Sequence, residues 1–311
     1  MLSTVGNIVK NMIYAALDLG TNAFRLLIVD ISKNNILKRE SIIVGLGSYI
    51  SKDKILLPPK KYYDALDRIF KIVKKFKVKK VDAVGTSIFR DSSNKKQIKD
   101  EFYNRYKHKL KIISPENEAI LTSKGALESV QFKNKNYVVI DIGGGSTEIS
   151  LISNGDLIDF VSLKLGVVRE FNEYGIIENF SLSSQRIIFK KIKDKFIKYN
   201  FFKNLRGKDF KLIANGGTPT TLAAIKLNMR TYNPNLVNGQ ALSLGYIKDI
   251  HKLLMIMNTN ERLKLAGMEK GREVVIIYGI FILLSVLRVL KKRIVYVADS
   301  GVLEGLVKET N

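Results

Sequence analysis

Cysteine and tryptophan are absent from this 311-residue chain, and it contains only two histidines, His108 and His251. Without cysteine there can be no disulfide framework, thiolate metal site or cysteine nucleophile. Two histidines cannot supply a three-histidine zinc site. Only 5 prolines interrupt a sequence that is 46% hydrophobic, which excludes bulk disorder and predicts a sizeable core. The chemistry left to the chain is that of carboxylates, hydroxyls, cationic side chains and backbone amides.

Acidic residues are also scarce. The chain has 29 of them against 52 lysines and arginines, a formal net charge of +23. One interpretation is a polyanionic partner such as a phosphate chain, and an equally good one is a lysine-rich, solvated surface. The basic residues are spread along the whole chain, with no basic tail and no aromatic and basic module. No specific nucleic-acid partner is therefore predicted.

No hydrophobic run is long enough to cross a bilayer. The most apolar stretch, residues 274–287, ends at Arg288 and is shorter than the ~20 residues that a membrane span needs. It predicts a buried helix and no membrane partner. The mixed, weakly polar start of the chain does not resemble a signal peptide, so we expect a cytoplasmic protein.

Two segments share the same order of strand, glycine turn and strand. The first runs through Asp18 and Gly20 into strand-like stretches at 24–30 and 36–44, and the second runs through Asp141 and Gly143 into stretches at 149–152 and 157–163. Aligning Asp18 with Asp141 superposes Gly20 on Gly143. This pattern predicts a duplicated α/β unit. We expect a first domain over residues 1–133 and a second over 134–311, with the boundary in the polar stretch 132–136.

Hydrophobic periodicity and breaker residues predict the other elements. Helices are expected over 62–76, 115–129 and 187–196 and from Pro219, Tyr246 and Glu273, and strands over 81–85, 211–214 and 294–298.

Three glycine turns are candidate phosphate sites, because successive backbone amides can converge on an anion where no Cβ blocks the approach. None is a Walker A loop. A single glycine after a strand is usually just a tight turn, but three in matched positions favour a polyphosphorylated ligand held between two lobes. The candidate ligands are Gly20, Thr21, Asn22, Gly143, Gly144, Gly145, Ser146, Thr147, Gly216, Gly217 and Thr218.

The charged candidates have structural alternatives. Asp18 and Asp141 end strands and supply oxygen ligands suited to Mg²⁺, or simply cap turns. Glu148 follows the second glycine turn and should share its cleft. Glu118 falls in the first turn of a predicted helix, where the helix dipole favours acidic residues, so its spacing alone favours a structural role. The arginines nearest the first-domain turns, Arg25 and Arg90, suit phosphate oxygens or solvent equally well.

Seven ordered segments resemble the exopolyphosphatase/guanosine pentaphosphate phosphohydrolase (Ppx/GppA) family over nearly the full chain. They are residues 18–25, 85–91, 113–119, 141–148, 166–169, 215–223 and 299–305. The resemblance implies the actin/Hsp70/sugar-kinase superfamily fold, in which two ribonuclease-H-like α/β domains flank an interdomain cleft, with the last helix able to pack back on the first domain.

The resemblance also implies an activity: Mg²⁺-dependent hydrolysis of the terminal phosphate of inorganic polyphosphate or of guanosine pentaphosphate, with Mn²⁺ as a substitute. Glu118 then matches the catalytic base, and Asp141 and Glu148 match positions that hold metal and organise the attacking water. Asp18 stays a further candidate metal ligand from its place at a strand end. Arg169 and Arg272 become candidate substrate contacts. The charge of +23 favours polyphosphate over guanosine penta- or tetraphosphate. A homodimer is expected by resemblance alone.

Four positions depart from the family pattern: Pro115, Asn238, Val274 and Leu303. They bear on cleft-wall contacts and substrate choice rather than on the catalytic set. An ATP-dependent kinase of the same superfamily, and a non-enzymatic alarmone sensor or assembly protein, are less favoured alternatives. The retained Glu118 and Glu148 argue against the sensor.

Overall fold

The computed structural model describes residues 12–51, 54–55, 59–130, 135–176, 181–205 and 207–310. They form two compact units, one made of the chain up to Asn117 with the segment from Val302, the other running from Glu118 to Gly301. The expected boundary between residues 133 and 134 lies outside the described residues. The division between the units falls earlier, inside the helix Pro115–Val130, because the later part of this helix packs on the second sheet through Ala126 and Val130.

Each half of the chain opens with consecutive strands and continues with helices separated by single strands. The chain up to residue 130 forms β1 (Ile13–Leu19), β2 (Ala23–Asp30), β3 (Asn35–Ile43), β4 (Ile50–Ser51), β5 (Lys54–Ile55), α1 (Lys60–Lys75), β6 (Lys80–Gly85), α2 (Ser87–Asp91), α3 (Lys95–Tyr106), β7 (Leu110–Ile112) and α4 (Pro115–Val130). The rest forms β8 (Asn136–Ile142), β9 (Thr147–Ser153), β10 (Asp156–Leu163), α5 (Val167–Tyr174), α6 (Leu182–Ile197), α7 (Asn200–Asn204), β11 (Lys211–Gly216), α8 (Gly217–Lys226), α9 (Pro234–Val237), β12 (Ala241–Ser243), α10 (Leu244–Ile256), α11 (Thr259–Leu263), α12 (Ile276–Val289), β13 (Ile294–Val297) and α13 (Val302–Lys308).

The two main sheets have the same topology. The first has the strand order β3-β2-β1-β6-β7, and the second has the order β10-β9-β8-β11-β13-β12. Each sheet begins with three antiparallel strands. In the first sheet β6 and β7 then run parallel to β1, and in the second β11 and β13 run parallel to β8, with β12 added as an antiparallel edge. The predicted duplication is confirmed at the level of strand order and direction.

The hairpins that open each unit use left-handed residues in turns of different length. In the first, a 3-10 turn over Ile31–Lys33 ends at Asn34, which has a left-handed backbone. In the second, Asn154 and Gly155 form a two-residue turn in which both have positive φ, the conformation that matches strand twist. Each hairpin also contains a register shift, between Ile28 and Val29 in the first unit and between Leu157 and Asp159 in the second.

The apolar run predicted as a buried helix is the centre of the second unit. Every residue of α12 from Ile276 to Leu287 is buried. The helix starts at Ile276, not at Glu273, and packs against α6 and α10. Helix α13 belongs to the first unit, where it packs on β1 and β2 and its Glu304 pairs with Arg39. No helix in the described part of the chain is both long and apolar enough to span a membrane.

Candidate active site

A row of polar side chains crosses the second sheet beside its glycine turn. Asp141 of β8 lies directly opposite Glu148 of β9, which lies opposite Ser162 of β10. Directly opposed residues point to the same face of a sheet. Ser162 donates from Oγ to Glu148 Oε1 at 2.7 Å, and Glu148 is only 2% exposed. The register therefore puts two carboxylates side by side, with one of them buried.

Helix α4 brings Glu118 to this face of the sheet. Ser114 caps the helix, since its Oγ accepts the amide hydrogen of Asn117 at 3.1 Å. Thr122, one turn after Glu118, donates from Oγ1 to Asp141 Oδ2 at 3.1 Å. Residues four apart share a helix face, with Cβ atoms ~6 Å apart. The buried Glu118 therefore lies on the face of α4 that contacts Asp141.

The two opposed carboxylates suit a divalent cation that takes its remaining ligands from a substrate. In the described ranges, no three acidic or histidine side chains are close enough together to hold a metal ion by themselves. Mg²⁺ in phosphate-transferring sites is usually bound through one or two carboxylates plus phosphate oxygens and water. Adjacent carboxylates repel one another unless a proton or a cation compensates the charge. Asp141 and Glu148 fit Mg²⁺ on both grounds.

The second glycine turn is closed by its own backbone. The amide of Gly143 donates to the carbonyl of Ser146 at 3.0 Å. Thr147 is fully buried and donates from Oγ1 to the carbonyl of Leu165 at 2.6 Å. The hydroxyl proton of Thr147, predicted as a phosphate ligand, is thus used within the protein. The predicted phosphate contacts of Gly143, Gly144, Gly145 and Ser146 stay predictions.

Helix α5 supports the same turn from behind. The backbone amides of residues 167–169 donate to the carbonyls of Gly143 and Gly144 at 2.9–3.0 Å. Arg169 also donates from Nε to the carbonyl of Gly145 at 2.8 Å. Arg169, predicted as a substrate contact, is therefore bonded to the turn itself.

The first unit carries a glycine turn of the same form. The amide of Gly20 donates to the carbonyl of Ala23 at 3.0 Å, as Gly143 does to Ser146. Two side-chain atoms of this turn, Thr21 Oγ1 and Asn22 Nδ2, are buried and have no hydrogen-bond partner among the described residues. An unsatisfied buried polar group costs about 1–3 kcal/mol. Such groups in a native turn point to a ligand that completes them.

The first turn differs from the second in its charges. Arg25 lies directly opposite Asp18 in the β1–β2 pair, with Nη1 3.9 Å from Asp18 Oδ2. In the second unit that position is Glu148. The first unit thus supplies its own cation beside the aspartate, which makes Asp18 a weaker candidate metal ligand than Asp141. Arg90 donates from Nη1 to the carbonyl of Ile113 at 3.2 Å, just ahead of α4.

The third glycine turn packs directly behind Asp141. Gly216 has a φ of 99°, and a Cβ there would lie 2.5 Å from the carbonyl oxygen of Ile142 and 3.2 Å from Asp141 Oδ1. Both the backbone conformation and the space demand glycine. Gly216 therefore has a structural role beside the carboxylate row, and a phosphate contact by this residue stays a prediction.

The rest of this turn is covered by side chains of the same unit. Arg272 lies across Gly217, where a Cβ would be 1.6 Å from its Nη1, and pairs from Nε with Glu269 Oε2 at 2.5 Å. Thr218 is buried against Gly279 of α12. Arg272 is thus at the start of α8, beside the predicted turn.

Two side chains that complete the row were not predicted as site residues. Thr122 lies four residues after Glu118, a helical spacing that could have indicated it. Ser162 could not be found from hairpin spacing alone, because the register shift in β10 moves the residue opposite Glu148 from Val161 to Ser162. Asn215 was noted only as part of a turn, and its Nδ2 donates to the carbonyls of Ala298 at 3.1 Å and Ser300 at 2.6 Å.

The chain matches known proteins along most of its length. A sequence model of the Ppx/GppA phosphatase family matches residues 27–310. A bifunctional 3-dehydroquinate synthase/phosphatase of Fusobacterium nucleatum is 30% identical over 321 residues, which cover 96% of this chain and 47% of that protein. Exopolyphosphatase 2 of Mycobacterium tuberculosis is 25% identical, over 94% of this chain and 96% of that protein.

The solved structure of an exopolyphosphatase from Cytophaga hutchinsonii is similar in fold. It aligns with a TM-score of 0.87 and 24% identity over 96% of this chain and 97% of its own. The predicted fold class of two ribonuclease-H-like units is confirmed by this likeness and by the repeated sheet order. This chain spans about half the length of the bifunctional relative and nearly all of the M. tuberculosis one.

Proposed function

Because the chain belongs to the Ppx/GppA phosphatase family, we propose that it is a phosphoric anhydride hydrolase that removes the terminal phosphate of inorganic polyphosphate. The observation that carries this proposal is the arrangement around Asp141. On one face of the second sheet, a glycine turn, the Asp141–Glu148 pair and the helix bearing Glu118 lie together. These are the parts that hydrolysis of a phosphoric anhydride requires.

Phosphate binding is the first task of the site. Within the described part of the chain, the amides of residues 144–146 donate to no backbone carbonyl. Converging amides of this kind form an anion-binding concavity. In the first unit, the Thr21 and Asn22 side-chain donors, which lack partners among the described residues, offer a second group of phosphate ligands. A net charge of +23 attracts a long polyanion more strongly than a short one.

Charge compensation is the second task. Asp141 and Glu148 are the residues that would hold Mg²⁺, with Mn²⁺ as a substitute. When bound, such an ion neutralises the charge that develops on phosphate oxygens during transfer. Ser162 orients Glu148 through its hydrogen bond, and Thr122 does the same for Asp141. Partners of this kind fix the direction of carboxylate oxygens.

Proton removal from the attacking water is the third task, and we assign it to Glu118. It lies in the first turns of α4, one turn before Thr122 and so on the helix face that contacts Asp141. It is also buried, whereas Glu116 in the same turn is exposed. Phosphoryl transfer depends mainly on positioning and charge neutralisation, so the base has only to orient the water and accept its proton.

The decisive experiment is substitution of Glu118 by glutamine. The amide keeps the size of the side chain but cannot accept the proton, so kcat for phosphate release should fall by about 10²–10⁴-fold while KM changes little. Glu116→Gln is the matched control, because Glu116 lies two residues before Glu118 and is exposed, and this variant should behave like the wild type. Unchanged turnover in Glu118→Gln would remove the base assignment.

A second candidate substrate is guanosine pentaphosphate. The observation that favours it is Tyr232, a residue that is 47% exposed and whose hydroxyl donates to Asp299 Oδ1 at 2.6 Å. An exposed aromatic ring offers a stacking surface to a base, and a carboxylate can accept hydrogen bonds from guanine. Tyr232→Leu should raise KM for guanosine pentaphosphate and leave KM for polyphosphate unchanged.

The two substrates can be compared directly. Phosphate release should be measured from short polyphosphate, long polyphosphate and guanosine pentaphosphate, each with Mg²⁺, with Mn²⁺ and with a chelator. If polyphosphate is the substrate, KM for the long chain should rise steeply with added salt, because salt screens its many contacts with basic side chains at once. A flat salt response with faster guanosine pentaphosphate hydrolysis would favour the second candidate.

A further inference from the structure

The carbonyl groups of the three glycines in the second glycine turn all accept hydrogen bonds from α5. Those of Gly143 and Gly144 accept the backbone amides that begin α5, and that of Gly145 accepts Arg169 Nε at 2.8 Å. The first amides of a helix have no partner within the helix and need one outside it. Helix α5 finds these partners in the turn.

This arrangement determines where the amides of the turn point. In a trans peptide unit the carbonyl and the following amide point in opposite directions. Because the carbonyls of residues 143–145 face α5, the amides of residues 144–146 face away from it. The carbonyl of Gly145 is therefore the group that controls the direction of the Ser146 amide. Without a donor at that carbonyl, the peptide between Gly145 and Ser146 could rotate.

The first unit shows the same arrangement made by backbone alone. There the carbonyl of Asn22, at the position of Gly145, accepts the amides of Val44 and Gly45 at 2.9 Å each. In the second unit the donor to the corresponding carbonyl is the Arg169 side chain. The arginine therefore does for Gly145 what two backbone amides do for Asn22.

The approach of α5 to the turn depends on Gly166. A Cβ at this position would lie 2.5 Å from the carbonyl oxygen of Gly144 and 2.6 Å from the amide nitrogen of Gly145, both backbone atoms that cannot move aside. With glycine there, the helix comes close enough for the Arg169 side chain to fold back onto the turn.

We infer that Arg169 is a positioning residue, which holds the amide of Ser146 toward the transferred phosphate by fixing the carbonyl of Gly145. This inference rests on the proposed function, since it assumes that the turn binds phosphate. The expected direct contact of Arg169 with substrate is a separate role. The two roles need different atoms of the side chain, so substitutions can separate them.

The test is a pair of substitutions at this position. Arg169→Gln places an N–H donor at the same distance along the side chain as Nε but removes the charge. Arg169→Lys keeps the charge but places a methylene where Nε was. We expect Arg169→Lys to lower kcat for phosphate release by about 10–100-fold, as is typical when a supporting residue of a site is lost. Arg169→Gln should stay within about threefold of the wild type. Arg186→Gln, an exposed arginine of α6, controls for loss of charge.

A second measurement does not depend on activity. Amide hydrogen exchange of the peptide spanning residues 143–147 should be faster in Arg169→Lys than in the wild type and unchanged in Arg169→Gln. The inference holds only if Arg169→Lys lowers kcat at least about tenfold and speeds exchange, while Arg169→Gln stays within about threefold of the wild-type kcat with unchanged exchange; any other result overturns it. If the wild type itself releases no phosphate from any substrate tested, the proposed function fails. The exchange data then still decide whether Arg169 holds the turn.

Discussion

A buried ion pair anchors the helix that supports the glycine turn, and its removal gives the sharpest stability prediction. Glu170 of α5 is fully buried, and Lys195 of α6 donates to its Oε1 at 2.7 Å. Burial raises the pKa of Glu170 above its usual value, and Lys195 opposes that effect. The other oxygen, Oε2, has no hydrogen-bond partner among the described residues. Replacement of Lys195 by methionine should therefore leave a costly buried carboxylate.

The magnitude follows from the burial of the two partners. Removing one member of a buried ion pair usually costs about 3–5 kcal/mol, because the remaining charge is uncompensated. The Lys195 side chain is 34% exposed, so part of its attraction is screened by water. We therefore expect the lower end of the range, about 3 kcal/mol at pH 7, for Lys195→Met. For a unit of this size that corresponds to a fall in Tm of roughly 6–12 °C.

The stability loss caused by Lys195→Met should depend on pH in a definite direction. A carboxyl whose pKa is raised in the folded state binds its proton more tightly there than in the unfolded chain. Its contribution to stability is greatest below the unfolded pKa and falls as pH rises through the folded pKa. The loss caused by Lys195→Met should therefore shrink as pH is lowered from 7 toward 5.

Denaturant unfolding at the two pH values measures this, with the exposed Lys198→Met as control. The double variant Lys195→Met/Glu170→Gln should recover most of the loss at pH 7, because it removes the uncompensated charge. An equal loss at both pH values, or no recovery in the double variant, would refute the reasoning.

Two other predictions concern hydroxyl groups. Thr122→Val removes the donor to Asp141 and should lower kcat about tenfold or more, with a stability loss of about 1 kcal/mol. Ser123→Ala is the control: it removes a neighbouring buried hydroxyl that has no partner among the described residues, so it should leave kcat unchanged. Equal kcat values in the two variants would argue against the role of Thr122. Thr21→Val should keep or slightly raise stability, since its buried hydroxyl is unsatisfied within the described residues, while KM rises. An unchanged KM, measured by steady-state phosphate release, would mean that Thr21 does not contact substrate.

Much of the fold could be predicted because the signals were local. The strands that open each unit and the apolar helix α12 all follow from patterns within a few residues of one another. The duplication was detectable because aspartate, glycine turn and second strand follow in the same order in the two halves, with glycine two residues after aspartate in each. Short elements such as α5 and β12 lacked a periodic pattern long enough to detect.

The candidate site was predictable in its residues but not in their partners. Glu118 has no local signature that distinguishes it from an ordinary acidic residue of a first helical turn, and only the family resemblance favoured it. What the structure adds is the contact of the same helix with Asp141 through Thr122, which depends on how α4 packs on the second sheet. Arg169 shows the same limit, because its bond to Gly145 depends on how α5 approaches the turn.

The duplicated units also explain why a metal would belong to only one of them. At equivalent positions, Asp18 faces Arg25 and Asp141 faces Glu148. The first pair is an ion pair, with its guanidinium available to neutralise the aspartate. In the second pair two carboxylates lie opposite one another, and these are the oxygen ligands that Mg²⁺ prefers. A single difference at one aligned position, Arg25 against Glu148, therefore gives the two turns different side chains, and the proposed metal belongs to the second.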